Sequence, residues 1–197
     1  GPGMGLSDKL WNGGSSEDLH QVVCHIGKRH PERPLLLVGF SLSGNILLKY
    51  LGEGRKMPTN VHGALAVNPP IDLKTSSSKL SYGRFSTVFN KYYMEMIDRQ
   101  ASALIQCFPK AFPPPRHSRT IREFDEAYTA PAAGYRNVEE YYAKCSAGQF
   151  LGNIIIPTTI LNSSDDPFVP CDIFQKSMMS LFVRYFEPKS GGHMGYI

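Results

Sequence analysis

Paired-cysteine motifs are missing from this chain. Its four cysteines stand at positions 24, 107, 145 and 171, and no two are spaced as CxxC. Zinc-finger and dithiol redox sites need that spacing, so neither chemistry is expected. Four thiols in 197 residues is also far too few for a disulfide scaffold, and no secretory apolar segment opens the chain. Reduced thiols in a cytoplasmic protein are therefore the expectation, with a single disulfide as the alternative. Long apolar runs are missing too. None approaches the roughly 18 residues of a membrane helix, which argues against stable membrane insertion. An excess of one charge is small: 21 Lys and Arg against 17 Asp and Glu leave +4, spread along the chain. Nucleic-acid binders cluster their basic residues, so no nucleic-acid partner is expected. Of the six histidines, His20, His25 and His30 lie five apart and share no helical face, while His62 and His117 are isolated. No metal and no cofactor are expected from them.

What is present is ordinary globular material: 42% apolar and 19% charged residues, with eleven Phe and ten Tyr. One domain, or a domain with a small insertion, fits the length. Gly1-Pro2-Gly3 ahead of Met4 reads as a protease-cleavage scar, with the natural start at Met4. Acidic residues at 17 and 18 open a helix over 16–29, with Leu19, Val22, Val23 and Ile26 on one face. The unbroken run Leu35-Leu36-Leu37-Val38 predicts a strand buried on both faces of a parallel sheet. A tight turn over 39–44 and a helix over 45–51 follow, then a strand over 61–67 closed by Pro69-Pro70. Residues 71–150 change character to polar-aromatic, with helices near 82–107 and 136–145 separated by Pro113-Pro114-Pro115. Apolar residues at 154–156 and 158–161 bracket Pro157 as a third strand, and 181–186 make a fourth. Strands alternating with helices predict an α/β fold with a mostly parallel sheet. Three regions follow: 1–70, an insertion over 71–150, and 151–197.

Three short segments carry chemistry. Gly39-Phe40-Ser41-Leu42-Ser43-Gly44 sits between a predicted strand and a predicted helix, the setting of a nucleophile elbow. Such a turn holds its serine in a strained backbone and needs small neighbours. The helix start behind Ser41 would let the Leu42 amide donate to an oxyanion. Next, Asp165-Asp166-Pro167 follows the third strand, where a carboxylate can orient a histidine. Finally, His193 follows the last strand and is flanked by Gly191, Gly192 and Gly195. Singly, each is a common loop feature. Together they give the chain order Ser, Asp, His on successive strand ends, the order of one hydrolase fold.

At this point the sequence resembles the α/β-hydrolase superfamily, and within it the YheT-like branch. The resemblance rests on Gly39 to Asn45 with Leu48-Lys49-Tyr50-Leu51, on Ile121-Arg122-Glu123-Phe124-Asp125 with Tyr128-Thr129-Ala130, and on Gly134-Tyr135 with Tyr141-Tyr142. Asp165-Asp166-Pro167-Phe168 and Gly191 to Tyr196 complete it. It implies Ser41 as nucleophile, His193 as general base and Asp166 as orienting acid. Asp166 is preferred to Asp165 because members place the acid four residues before a proline, as Asp166 precedes Pro170. The implied activity is hydrolysis of a carboxylic ester through an acyl-enzyme, with an acyl lipid as one candidate substrate.

Two departures from the family pattern shape further expectations. The family has strands and an oxyanion loop ahead of this region, and a closing helix after the histidine; both are lacking here, and Ser43 replaces a glycine and should crowd the elbow. Losing one oxyanion donor costs about 10²–10³ in rate, so weak turnover is expected. The alternative is a catalytically silent relative serving as an interaction module. An unpaired edge beside strand 35–38 should favour a homodimer or low solubility. The insertion should cap the site; Phe85, Phe89, Tyr92, Tyr93, Met94 and Met96 could line an acyl pocket, though helical spacing favours the cap's own core. Arg116, Arg119 and Arg122 could attract a phosphate head group, but a solvated face is the favoured account.

Overall fold

Four parallel strands pair in sequence order, β1 (Leu35–Phe40), β2 (Val61–Val67), β3 (Thr158–Leu161) and β4 (Val183–Phe186). The structure, a computed structural model, describes residues 7–83, 86–115 and 118–196. The N-terminal scar, Phe85, Arg116 and His117 lie outside the described residues. Phe40, Val67, Leu161 and Phe186 align across the ladder, so the segments that follow all four strands share one edge of the sheet. The ends of β1, β3 and β4 are the ones followed by the three marked segments.

The helices follow from local chemistry. α1 (Ser16–Arg29) begins with Glu17 and Asp18 and ends with Lys28 and Arg29, both suited to the helix dipole. α2 (Leu42–Gly52) is buried almost throughout, including Leu47, Leu48, Tyr50 and Leu51, and packs on β1 and β2. Asp72 caps α3 (Leu73–Tyr82) by accepting the Thr75 amide at 3.0 Å. α4 (Ser86–Cys107) follows, so the helix expected over 82–107 is interrupted after Tyr82. α5 (Ile121–Phe124) widens into a π-helical segment, Asp125–Thr129, and closes as α6 (Ala130–Ala132). Asn137 caps α7 (Val138–Cys145), a 3₁₀ helix spans Ala147–Asn153, and α8 (Asp172–Gln175) links β3 to β4.

Two strands are shorter than the apolar runs suggest. Residues 154–156 are not in the sheet: Ile154 is fully buried, Ile155 is exposed, and Pro157 contributes only its carbonyl, which accepts the Ala64 amide at 2.9 Å. Proline has no amide to give to a ladder, so β3 begins after it. β4 likewise begins at Val183, because a turn in which Ser180 accepts the Val183 amide leaves Leu181 exposed. The larger difference concerns β1. Burial alternates along it, with Leu36, Val38 and Phe40 at 73%, 54% and 55% exposure. The expectation of cover on both faces fails for a topological reason. Crossovers between parallel strands are right-handed, and a strand order that never reverses sends every crossover to the same face. That face holds the main core of Leu48, Tyr50, Ile71, Leu151, Ile160 and Phe174. The opposite face stays open among the described residues, and β1 is also an edge strand.

Asn45 ties α2 to two distant segments. Its Nδ2 donates to the Gly13 and Cys145 carbonyls at 3.1 and 2.9 Å, and its Oδ1 accepts the Ala147 amide at 2.9 Å. The side chain is fully buried. Asn45→Ala would strand three buried backbone groups, so a loss of about 2–4 kcal/mol is expected in urea unfolding. A loss below about 0.5 kcal/mol, the range of ordinary surface substitutions, would show that this tie is not what holds the loops.

Candidate active site

The elbow owes its shape to a close backbone approach. A Cβ at Gly39 would meet the Ser43 carbonyl oxygen at 2.7 Å and the Gly44 Cα at 2.8 Å, so only glycine lets α2 turn back against β1. Ser41 sits at the apex with φ 50° and ψ −125°, a conformation that a non-glycine residue adopts only where its surroundings enforce it. Its amide is anchored to the Val67 carbonyl at 2.8 Å. Ser43 is exposed, so the expected crowding there does not occur. α2 begins at Leu42, whose amide is among those the first turn leaves without an intrahelical acceptor.

The structure brings together residues from the ends of β1, β3 and β4. His193 Nε2 lies 2.8 Å from Ser41 Oγ, and its Nδ1 lies 2.8 Å from Asp166 Oδ2. Asp166 Oδ1 accepts the Phe168 and Val169 amides at 2.8 and 3.0 Å, which aims the carboxylate at the histidine. The Asp166 side chain is fully buried and that of His193 is 15% exposed. Phe168 stands edge-on to the imidazole, with centroids 5.1 Å apart. The neighbouring Asp165 has a different task. Its carboxylate accepts the Gly192 amide at 2.8 Å, a bond that lowers its pKa and pins the loop carrying His193. Gly192 adopts φ 52° there.

One member of this cluster is not flagged by the sequence pattern. Asn68, at the end of β2, donates through Nδ2 to Asp166 Oδ2 and to the Gly192 carbonyl, the latter at 3.0 Å. Its Oδ1 accepts the Tyr196 hydroxyl. All four strand ends therefore contribute to the cluster. Asn68 has φ 47°, and asparagine directly before Pro69-Pro70 was the available hint, because it tolerates the left-handed region better than other side chains.

Ser41 and His193 open into a cavity of about 500 Å³. Its wall is mostly apolar and takes residues from the segment before α1 (Leu10, Trp11), from α3, α4 and α5, from the π-helical segment and from α7. The insertion's aromatic and methionine residues divide between wall and core. Tyr92, Tyr93 and Met96 line the cavity, while Met94 packs with Phe124 and Tyr128, and Phe89 packs on Phe168. Arg122 pairs with Glu139 at 2.5 Å and Arg119 is exposed; neither lines the cavity. Asp125 does line it. Its carboxylate accepts the Tyr142 hydroxyl at 2.8 Å and bonds the Thr129 side chain. Burial pushes its pKa from 3.8 up to about 6. Among the described residues no cluster of His, Cys, Asp and Glu could hold a metal, and no helix is long and apolar enough to cross a membrane.

No family model matches the chain. Escherichia coli YheT is 31% identical over 195 residues, covering 96% of this chain and 56% of that protein. A Saccharomyces cerevisiae monoacylglycerol lipase is 31% identical over 196 residues, covering 95% of this chain and 43% of the lipase. A Pyrococcus furiosus esterase structure superposes with a TM-score of 0.54 at 14% identity, over 92% of this chain and 55% of that one. The chain is an α/β-hydrolase relative. It spans about half the length of the curated relatives it matches. The α/β fold read from the alternating strands and helices, and the YheT-like resemblance, both stand.

In this α/β-hydrolase relative Asp125 has a calculable effect on stability. Its folded pKa of about 6 exceeds the ordinary 3.8, so the unfolded chain releases this proton first as pH rises. Stability from this group is full below about pH 4 and falls through about pH 6, at a cost of about 3 kcal/mol. Asp125→Asn should therefore unfold like the parent near pH 4 and be more stable than it near pH 7.5. Chemical denaturation at both values measures the difference. A parent chain more stable than the variant at the higher pH would contradict the assignment.

Proposed function

We propose that this chain is a serine hydrolase that cleaves a carboxylic ester, with an acyl lipid as substrate. The observation that carries the reading is the continuous relay Ser41–His193–Asp166, whose Ser41 and His193 line a mostly apolar cavity. His193 Nε2 accepts the Ser41 proton as Oγ attacks the carbonyl carbon. For Nε2 to accept, Nδ1 must carry the hydrogen, and Asp166 holds that tautomer by accepting from Nδ1. The Leu42 amide donates to the oxyanion as it forms. His193 then protonates the departing alcohol, and water repeats the sequence on the acyl-enzyme. No metal or cofactor enters these steps. Residues 1–70 and 151–197 form the core in this reading, and 71–150 the cap whose Tyr92, Tyr93 and Met96 face the acyl chain. The relatives named as lipases support the substrate class. The four cysteines are all free, which supports a cytoplasmic setting.

Ser41→Ala is expected to abolish both fluorophosphonate labelling and turnover of p-nitrophenyl esters. Asp166→Asn should leave the fold intact and lower kcat by about 10⁴, because it leaves the imidazole in the wrong tautomer. Labelling of the Ser41→Ala protein, or no labelling of the parent, would count against the mechanism. The second outcome would favour a silent relative that works as an interaction module.

A homodimer is part of the same proposal. Among the described residues β1 presents an unpaired edge beside the open face of Leu36, Val38 and Phe40, a combination that invites strand pairing. Sedimentation at micromolar concentration should show a dimer. Val38→Lys should shift it toward monomer without affecting labelling of Ser41. A parent chain that stays monomeric would rule the dimer out.

A further inference from the structure

The relay leaves a second polar cluster in the same cavity with no assigned task. Ser77 Oγ lies 2.8 Å from the Tyr142 hydroxyl, which lies 2.8 Å from Asp125 Oδ2. A phenol has one proton to give. Tyr142 gives it to the carboxylate, so Ser77 must donate to Tyr142, and the chain of donors runs Ser77 to Tyr142 to Asp125. Ser77 keeps its acceptor capacity, and Asp125 keeps acceptor sites beyond those used by Tyr142 and Thr129. Next to Ser77 on α3, Ser76 is 7% exposed and its hydroxyl has no partner in the structure. Among the described residues Ser76 is the cavity-lining residue whose buried side-chain oxygen has no partner. A buried hydroxyl left unpaired costs stability, and so does a carboxylate held against its own ionisation. Both costs fall on one cavity, and Asp125 opens the π-helical segment of its helix, a distortion common at functional sites.

The ligand's chemistry can be read from what the wall offers. Asp125 and Ser77 present acceptors, and Ser76 can donate or accept. No Lys or Arg lies in the wall among the described residues, so nothing there would neutralise a phosphate or carboxylate. A neutral hydroxyl, which donates and accepts at once, matches this set.

We propose that Ser76, Ser77 and Asp125 bind a hydroxyl group that the ester carries away from its scissile carbonyl. The hydroxyl donates to Asp125 and accepts from Ser76, and this places the carbonyl at Ser41. The inference rests on the esterase reading for its substrate. The hydroxyl comes either from the alcohol portion, as in a glyceryl ester, or from the far end of the acyl chain.

Non-hydrolysable ethers test this without turnover. Calorimetry on the full chain would compare octyl glyceryl ether, ω-hydroxyoctyl methyl ether and methyl octyl ether. One hydroxylated ether should bind at least about tenfold more tightly than methyl octyl ether, the size of one buried hydrogen bond. Preference for the glyceryl ether assigns the hydroxyl to the alcohol portion, and preference for the ω-hydroxy ether assigns it to the acyl end. In Ser76→Ala and in Asp125→Asn the advantage should fall to about twofold or less, with methyl octyl ether binding unchanged. Both substitutions remove a destabilising group, so both variants should fold; a merely structural role would not alter the ratio between ligands. Equal binding of all three ethers overturns the proposal. So does an advantage that survives both substitutions, or tighter binding of aminoethyl octyl ether than of either hydroxylated ligand. Fluorophosphonate labelling of Ser41 reports separately on the esterase reading, so the two can fail independently.

Discussion

Everything at the site depends on how closely α2 approaches β1. With Gly39 against the Ser43 carbonyl and Gly44, the chain reverses within a few residues and lifts Ser41 out of both elements. The left-handed backbone at Ser41 is costly in isolation and persists because α2 is buried and the Ser41 amide is held by the Val67 carbonyl. Asn68 repeats the device one strand over, also with positive φ and also at a strand end. Two adjacent strands thus finish in turns that project a side chain above the sheet. Asp166 and His193 then need only the segments after β3 and β4 to reach them.

The same sheet shows how topology overrides composition. Four consecutive apolar residues at 35–38 satisfy every local criterion for a strand covered on both sides. Cover is a property of connections, however, and a strand order that runs β1-β2-β3-β4 without reversal supplies it to one side only. Leu36 and Val38 are apolar on a face that stays largely open among the described residues.

Sequence spacing made the strand-end positions of Ser41, Asp166 and His193 legible, because Gly, Asp-Pro and Gly-Gly-His are local signals that survive without a partner. The alternation of elements was legible for the same reason. Choosing Asp166 over Asp165 took the family resemblance, since the two are equivalent as a dipeptide; their separate tasks depend on the Phe168, Val169 and Gly192 amides. Asn68, Asn45, Ser76 and Asp125 were opaque. Asn45, Asn68 and Asp125 gain their meaning from partners distant in sequence, Gly13, Gly192 and Tyr142 among them, and Ser76 gains its meaning from the cavity it lines. Strand ends misread at 154–156 and 181–182 share a different cause: apolar residues were counted as ladder members although Pro157 has no amide to give and the Val183 amide is taken by the Ser180 turn.

The π-helical stretch at Asp125–Thr129 carries one more consequence. It holds one residue more than an α-helix would need between α5 and α6. Removing a single residue there would let the helix close on its ordinary ladder, but each residue of an α-helix turns the chain by about 100°. Phe124, packed with Tyr128 and Met94 in one small core, would keep its place while the residues after the deletion turned relative to it. The extra residue thus acts as a phase setting. It fixes how α6 is turned relative to Phe124 and Asp125, so a length change of one here would move every side chain beyond it at once.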